Sequence, residues 1–111
     1  MALFLTEAEI AELLPMAAAI EAVEGAFKAQ GLGLAVNEPR RRVRTPTGML
    51  HLMGGALLPS GILGFKAYTT FRAGSKFLFL LYSAEDGRLL AVMQADRLGQ
   101  VRTGAASGVA T

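Results

Sequence analysis

The sequence has no cysteine, no tryptophan and a single histidine among its 111 residues. Without cysteine the chain has no disulfide, no thiolate metal ligand and no cysteine nucleophile, which is compatible with a reducing compartment. The lone histidine, His51, has no second histidine or carboxylate at ligand spacing. We therefore expect a packed or hydrogen-bonded residue here, and no metal site.

Long apolar runs are also missing. No segment approaches the roughly 18–20 apolar residues of a membrane span. The first residues carry Glu7, Glu9 and Glu12, whereas a secretory leader begins with a basic segment. We expect a cytoplasmic protein that does not associate with a membrane.

Apolar residues are nevertheless abundant. They make up 52% of the chain, and the mean hydropathy is +0.41. A chain of this length forms one domain, residues 1–111, whose surface is a large fraction of the whole. Part of its apolar surface should therefore contact a second copy or another domain, and we expect a homodimer.

Much of the positive charge is concentrated in one short segment of the chain. The net charge is only +2, and four of the eleven basic residues lie between Arg40 and Arg44. Aromatic residues, on which single-stranded bases would stack, are not interleaved with them. We therefore expect no nucleic-acid partner.

Periodicity predicts helices at both ends and strands between them. Thr6 and Glu9 have the spacing of a capping box, and Pro15 should restart a helix that ends at Gly31. From Pro39 the apolar period becomes two, which predicts the strands Arg41–Thr45, Met49–Met53, Ile62–Phe71, Lys76–Ser83 and Arg88–Ala95. A loop from Gly54 to Gly61 should separate the first two strands from the third. The prediction is an α+β fold with a largely antiparallel sheet.

The last sixteen residues, Asp96 to Thr111, read as one helix with a single arginine, Arg102. Small residues around it would allow close packing on another backbone or on a cofactor. The helix has no C-terminal glycine, asparagine or following proline. We therefore expect one domain of a longer protein, with part of the active site in the remainder.

Lys66 is the most informative single residue. Strand alternation groups it with Tyr68 and Thr70 on one face. An ammonium in mid-strand must reach water or an anion, so Lys66 is either a solvated lysine or a binding group. The arginine cluster leaves a similar choice, because alternation separates Arg41 from Arg40, Arg42 and Arg44, and at most one of these two sets faces a pocket.

Three segments together resemble one family. They are PRRRVRTPTGMLHLM (39–53), GFKAYTTF (64–71) and ADRLGQVRTGAASGVAT (95–111). Their order and coverage of nearly the whole chain resemble the amino-terminal half of the ornithine cyclodeaminase and mu-crystallin family. The resemblance implies a substrate-binding and dimerisation domain followed by an NAD- or NADP-binding Rossmann domain.

The resemblance also implies roles for individual residues. Lys66 would bind the substrate carboxylate and assist proton transfer. Arg41, with Arg42 a close second, would bind the same carboxylate, and Met53 would belong to the substrate site. Arg102 and Thr103 would contact the carboxylate and the dinucleotide, unless Arg102 merely forms a salt bridge on a packed helix.

The implied chemistry converts the amine of an L-amino acid to an imine by hydride transfer, or the reverse, in some members with loss of ammonia. The family's general-base aspartate would lie beyond Thr111, so this chain alone should be inactive and should bind the dinucleotide weakly or not at all. Gly31-Leu32-Gly33 follows a helix, and Val36 takes the place of the last glycine of a dinucleotide fingerprint. His51 stands where cyclodeaminases tend to carry glutamate, which puts ornithine in doubt as the substrate. The alternatives are a small-ligand-binding protein of the mu-crystallin type and a free-standing oligomerisation module.

Overall fold

The computed structural model describes residues 2–110, which form three α-helices, a short 3-10 helix at Leu58–Ser60 and one sheet. Thr111, where the predicted last helix ends, lies outside the described residues. In chain order the elements are β1 Leu3–Leu5, α1 Glu7–Leu13, α2 Met16–Gly31, β2 Ala35–Asn37, β3 Arg41–Arg44, β4 Gly48–Leu57, β5 Ile62–Phe71, β6 Gly74–Ser83, β7 Leu89–Gln94 and α3 Asp96–Ala110.

The sheet order is β1-β7-β6-β5-β4-β2, and β3 also pairs with β4. Every pair is antiparallel except β1 with β7, which is parallel. The predicted α+β class with a largely antiparallel sheet is confirmed. No helix within residues 2–110 is long and apolar enough to cross a membrane.

The first two helices begin and end where local chemistry predicts. The Thr6 hydroxyl accepts from the Glu9 amide at 3.3 Å, and the Glu9 carboxylate accepts from the Thr6 amide at 3.2 Å. This capping box satisfies donors that an isolated helix end leaves unpaired. Pro15 precedes α2, which ends at Gly31. Both predicted helices are confirmed.

The loop predicted from Gly54 is wrong in its first half, because β4 continues to Leu57. Residues 54–57 keep their ladder with β5, in which Gly55 lies opposite Gly64. A Cβ at Gly64 would overlap the carbonyl oxygen of Leu80, and one at Gly55 would come within 2.8 Å of the Val36 oxygen. These glycines therefore allow close approach of neighbouring backbones, and do not mark a turn.

Two strands were not predicted at all. Both β1 and β2 have three residues, too few to show an alternating pattern. β1 forms the sheet edge beside β7, and β2 pairs with the end of β4. Long-range pairing alone makes these segments strands.

The helices pack mainly on one another. Ala19 of α2 and Val101 and Ala105 of α3 form the buried cluster, against which Ile20 and Val23 pack. A Cβ at Gly104 would approach Met16 to 3.0 Å, and one at Gly108 would approach Ile20 to 2.8 Å. The small residues of α3 thus serve close packing against α2.

The two sheet faces differ in character. The register places Arg41, Leu52, Ala67 and Leu78 in one row on one face. We call this the apolar face; its large side chains include four that are at least 36% exposed, namely Val43, Leu52, Leu63 and Leu78. The opposite face carries His51, Met53, Lys66, Tyr68 and Phe77, and we call it the site face.

Candidate functional site

Lys66 lies on β5, in the middle of the site face. Its direct neighbours across the sheet are Met53 on β4 and Phe79 on β6. The Lys66 Nζ atom is 5.0 Å from the ring centroid of Tyr68 and 5.8 Å from that of Phe77. Both distances allow cation–π attraction. The ammonium is therefore half-buried against aromatic rings, and the structure brings Lys66 and Met53 together.

Three rings stand side by side across the site face. His51 stacks on Tyr68 with centroids 4.3 Å apart, and Tyr68 stacks on Phe77 with centroids 4.7 Å apart. The register explains the stack, because Tyr68 lies opposite His51 on one side and opposite Phe77 on the other. Directly opposite residues of an antiparallel sheet have their side chains on the same face, close enough to touch. These three rings form a wall next to Lys66, which we call the aromatic wall.

His51 is buried, with only 5% of its surface exposed. Its Nε2 atom is hydrogen-bonded to the Thr70 hydroxyl at 2.9 Å, whereas Nδ1 has no partner among the described residues. Burial, and then the positive charges of Arg42, Arg40 and Arg44, lower the pKa of His51 below its ordinary value of 6.5. Both effects favour the neutral form of the imidazole. No group of three or more potential metal ligands occurs within residues 2–110.

The arginine cluster is divided between the two faces. Arg42 lies opposite His51, and Arg44 lies opposite Met49, so both are on the site face. Arg40 precedes β3, and its Cζ atom is 5.8 Å from the Tyr68 centroid. We call Arg40, Arg42 and Arg44 the arginine row. Arg41 lies opposite Leu52, on the apolar face and away from Lys66.

Alternation does not show which face of the sheet borders a pocket. The sequence therefore did not single out Arg40. Tyr68 and Phe77 were also missed as site residues. An aromatic residue at alternate strand positions is equally typical of a core. Only the cross-strand register brings these rings beside the lysine.

Helix α3 closes one side of the site. A cavity of about 670 Å³ lies between the helix and the sheet. Its lining comprises Lys66, Ser75, Phe77, Asp96, Gly99, Gln100 and Thr103. The Thr103 hydroxyl donates to the carbonyl of Gly99 at 3.0 Å. Arg102 is exposed on the same helix.

Long-range hydrogen bonds fix the beginning of α3. The Glu7 carboxylate accepts from the backbone amides of Asp96 at 2.9 Å and Arg97 at 3.0 Å. In return, the Gln94 side chain accepts from the Glu7 amide at 2.9 Å. Asp96 accepts from the Phe77 amide at 2.9 Å and so ties the helix to β6. The starts of α1 and α3 are thus each capped by a side chain from the other end of the chain.

Five cations carry the charge of the site: Lys66, Arg102 and the arginine row. Among the described residues none of them has a carboxylate within salt-bridge distance, and the ion pairs found are Lys28–Glu24 and Arg88–Asp86, both elsewhere. Burial first, then Arg40 and Arg102, lower the pKa of Lys66 from its ordinary 10.5. Such a site attracts an anion, and an amine of lowered pKa is better suited to proton transfer near neutral pH.

The fold and the site together define an α+β domain with a cationic face beside a helix. The whole chain, residues 1–111, matches the model of the ornithine cyclodeaminase/mu-crystallin family. The chain therefore belongs to this family, as its motifs predicted.

Individual relatives agree with this assignment. Alanine dehydrogenase of Archaeoglobus fulgidus is 35% identical over 97% of this chain and 35% of its own length. The structure of a probable ornithine cyclodeaminase from Bordetella pertussis Tohama I has a TM-score of 0.91 at 34% identity, covering 96% of this chain and 34% of that chain. An archaeal alanine dehydrogenase dimer with bound NAD has a TM-score of 0.90 at 34% identity, covering 96% and 35%. The chain thus spans about a third of the length of these relatives.

Proposed function

We propose that this chain is the substrate-binding and dimerisation part of an NAD- or NADP-dependent enzyme that acts on an L-amino acid or the corresponding imine. One observation carries the proposal: the half-buried Lys66 amine is within electrostatic range of Arg40 and Arg102 and has no carboxylate partner among the described residues. Such a group of cations suits a substrate carboxylate. Alanine dehydrogenase and probable ornithine cyclodeaminase relatives support this choice of substrate class.

Within this chain each cation has a distinct part. Lys66 and Arg40 bind the substrate carboxylate against the aromatic wall, with Arg102 approaching from α3, and Met53 packs beside the substrate. Because its pKa is lowered, the Lys66 amine exchanges a proton at the amine nitrogen as the imine forms or is reduced. Arg42 extends the cationic surface along β3. Arg41, placed on the apolar face, is not part of this proposal.

The nicotinamide, when bound, takes or gives the hydride at the substrate α-carbon. Thr103 lines the cavity and Arg102 is adjacent, so these residues fit contacts to one end of a dinucleotide. A glycine turn before a helix start, which would hold the pyrophosphate, does not occur within residues 2–110: Gly31 is the last residue of α2, and Gly33 follows that helix. We therefore place most of the cofactor site in a Rossmann domain outside this chain, and we expect the chain alone to be inactive.

The proposal extends to assembly and location. The apolar face is partly exposed in a single copy, and pairing with a second copy would cover it. The NAD-bound archaeal relative, which is a dimer, supports a homodimer. The lack of cysteine fits a reducing compartment, and we propose the cytoplasm.

A second candidate is a non-catalytic protein of the mu-crystallin type that binds a small hydrophobic acid. An apolar cavity of about 180 Å³ favours it. That cavity adjoins the Lys66 row and is lined by Gly55, Ala56, Leu57, Ile62, Leu63, Gly64, Phe79 and Leu81. A hydrophobic acid could place its carboxylate at Lys66 and its tail here.

Lys66→Met in the complete protein tests the choice, with Lys76→Met as its control. Lys76 is exposed on β6 and lies opposite Thr69, on the other face. We expect Lys66→Met to lower kcat/KM for amino-acid oxidation by about 10²- to 10⁴-fold, and Lys76→Met to keep it. Retained turnover in Lys66→Met would refute the catalytic role. If the unaltered protein binds small acids without any nicotinamide-linked turnover, the second candidate is favoured.

A further inference from the structure

The site holds more cations than one carboxylate requires. Lys66 lies within the electrostatic reach of Arg40 and Arg102, whereas His51 lies within that of Arg42, Arg40 and Arg44. Arg40 is common to both groups. The cations therefore form two adjoining centres, one around Lys66 and one around His51, and the proposed reaction uses only the first.

The spacing of the two centres follows from the strand. Arg40, Arg42 and Arg44 alternate along the chain and so point to the same face, with successive members about 6.6 Å apart. Arg42 lies opposite His51, one row along the sheet from the pair formed by Met53 and Lys66. The two rows are thus about 6.6 Å apart along the strands, a step that the two carboxylates of a short dicarboxylic acid can span.

His51 offers a hydrogen-bonding atom at the second centre. Its ring is fixed by the Thr70 hydroxyl on Nε2 and by stacking on Tyr68. Nδ1 is buried without a partner among the described residues, although buried polar atoms are nearly always hydrogen-bonded. When the Thr70 hydroxyl donates to Nε2, Nδ1 carries the proton and can donate to an anion.

The same face is unsuited to a substrate with a cationic side chain. Asp96 is the one acid among the residues that line the cavity, and its Oδ1 atom already accepts from the Phe77 amide. An additional ammonium group would meet the arginine row, which has no carboxylate within salt-bridge distance among the described residues. Like charges at such distances disfavour binding.

We propose that the substrate is an acid with a second anionic group, a short aminodicarboxylic acid or its imine, whose distal carboxylate is bound by Arg42 and Arg44 next to His51. This inference rests on the proposed function, since it names the substrate class of that site. It assigns the Lys66 centre to the α-carboxylate. The His51 centre then selects the side chain.

The experiment compares acids with their isosteric amides in the complete protein. We expect kcat/KM for L-aspartate or L-glutamate to exceed that for L-asparagine or L-glutamine, the isosteric amide in each case, by about 10- to 100-fold, as for a hydrogen bond between charged groups. Arg42→Gln should bring this ratio close to one, because kcat/KM for the acid should fall by a larger factor than kcat/KM for the amide. Arg42→Lys should restore part of it. Lys28→Gln removes one exposed charge on α2 and should leave the ratio unchanged.

Three results would overturn the inference. The first is equal turnover of acid and amide, or preference for alanine or ornithine, in the unaltered protein. The second is an unchanged ratio in an Arg42→Gln protein whose circular dichroism is native. The third is an Arg42→Gln effect on the KM for NADPH alone, which would assign the arginine row to a cofactor phosphate. If no amino acid gives nicotinamide-linked turnover, the proposed function fails. The present inference is then tested separately by calorimetry, which measures the Kd of the acid and the Kd of its isosteric amide.

Discussion

Glu7→Ala should loosen helix α3 from a position 89 residues away in the sequence. In the native protein the Glu7 carboxylate accepts from the amides of Asp96 and Arg97 at 2.9 and 3.0 Å. These donors belong to the first turn of α3 and have no partner within the helix. The bond from the Glu7 amide to Gln94 uses the backbone and remains in the variant, so the substitution isolates the carboxylate.

The expected cost follows from the type of contact. Removing a helix cap costs about 0.5–2 kcal/mol, and a hydrogen bond to a charged group contributes about 1.5–3 kcal/mol. Glu7 is only partly buried, so water replaces some of the lost contact. We therefore expect the free energy of opening of α3 to fall by about 1–2 kcal/mol, which is a factor of about 5–30 in the open population. Glu7→Gln retains one acceptor and should lie between the two proteins.

Hydrogen–deuterium exchange of the complete protein measures this directly, because exchange reports local opening. The amides of Asp96 and Arg97 should exchange faster in Glu7→Ala, whereas amides in the middle of β5 should not change. Glu12→Ala is the matched control, since Glu12 is an exposed residue of α1, the helix that also contains Glu7. Equal exchange at the start of α3 in Glu7→Ala and Glu12→Ala would show that the carboxylate does not stabilise the helix.

The remaining predictions concern packing, protonation and assembly. Gly64→Ala should lower the free energy of unfolding by about 1–3 kcal/mol, because the added Cβ would overlap the Leu80 carbonyl. Gly54→Ala is the control, since a Cβ there would have its nearest neighbouring atom 3.7 Å away. Equal losses of stability for the two variants in chemical denaturation would contradict this prediction. In the pH profile of kcat/KM, the fall at alkaline pH should be centred below pH 10.5, because the pKa of Lys66 is lowered. Arg102→Gln should move this alkaline fall to higher pH, because it removes a positive charge that repels the Lys66 ammonium. A pH–rate profile without that movement would show that Arg102 does not lower the pKa of Lys66. The protein should sediment as a dimer at micromolar concentration, because the apolar face is partly exposed; a monomer alone would argue against that interface.

Local chemistry determined much of this fold in advance. The capping box of Thr6 and Glu9 fixed the start of α1, since its partners lie three residues apart. Period-two alternation predicted β5 at its observed bounds, Ile62–Phe71, and placed Lys66 with Tyr68 on one face. These features depend on neighbours in sequence, and so they could be read without knowledge of the rest of the molecule.

Tertiary structure decided the remainder. Alternation separated Arg41 from Arg40 and Arg42 but did not say which set shares the face of Lys66, because that depends on the register of β3 against β4. The stack of His51, Tyr68 and Phe77 required three strands to align. The strand character of residues 54–57, and the capping of α3 by Glu7, likewise arise from pairings between distant parts of the chain. The sequence by itself therefore determined which residues can carry charge and where helices and strands form, whereas only long-range register determined which of those charges meet in one site.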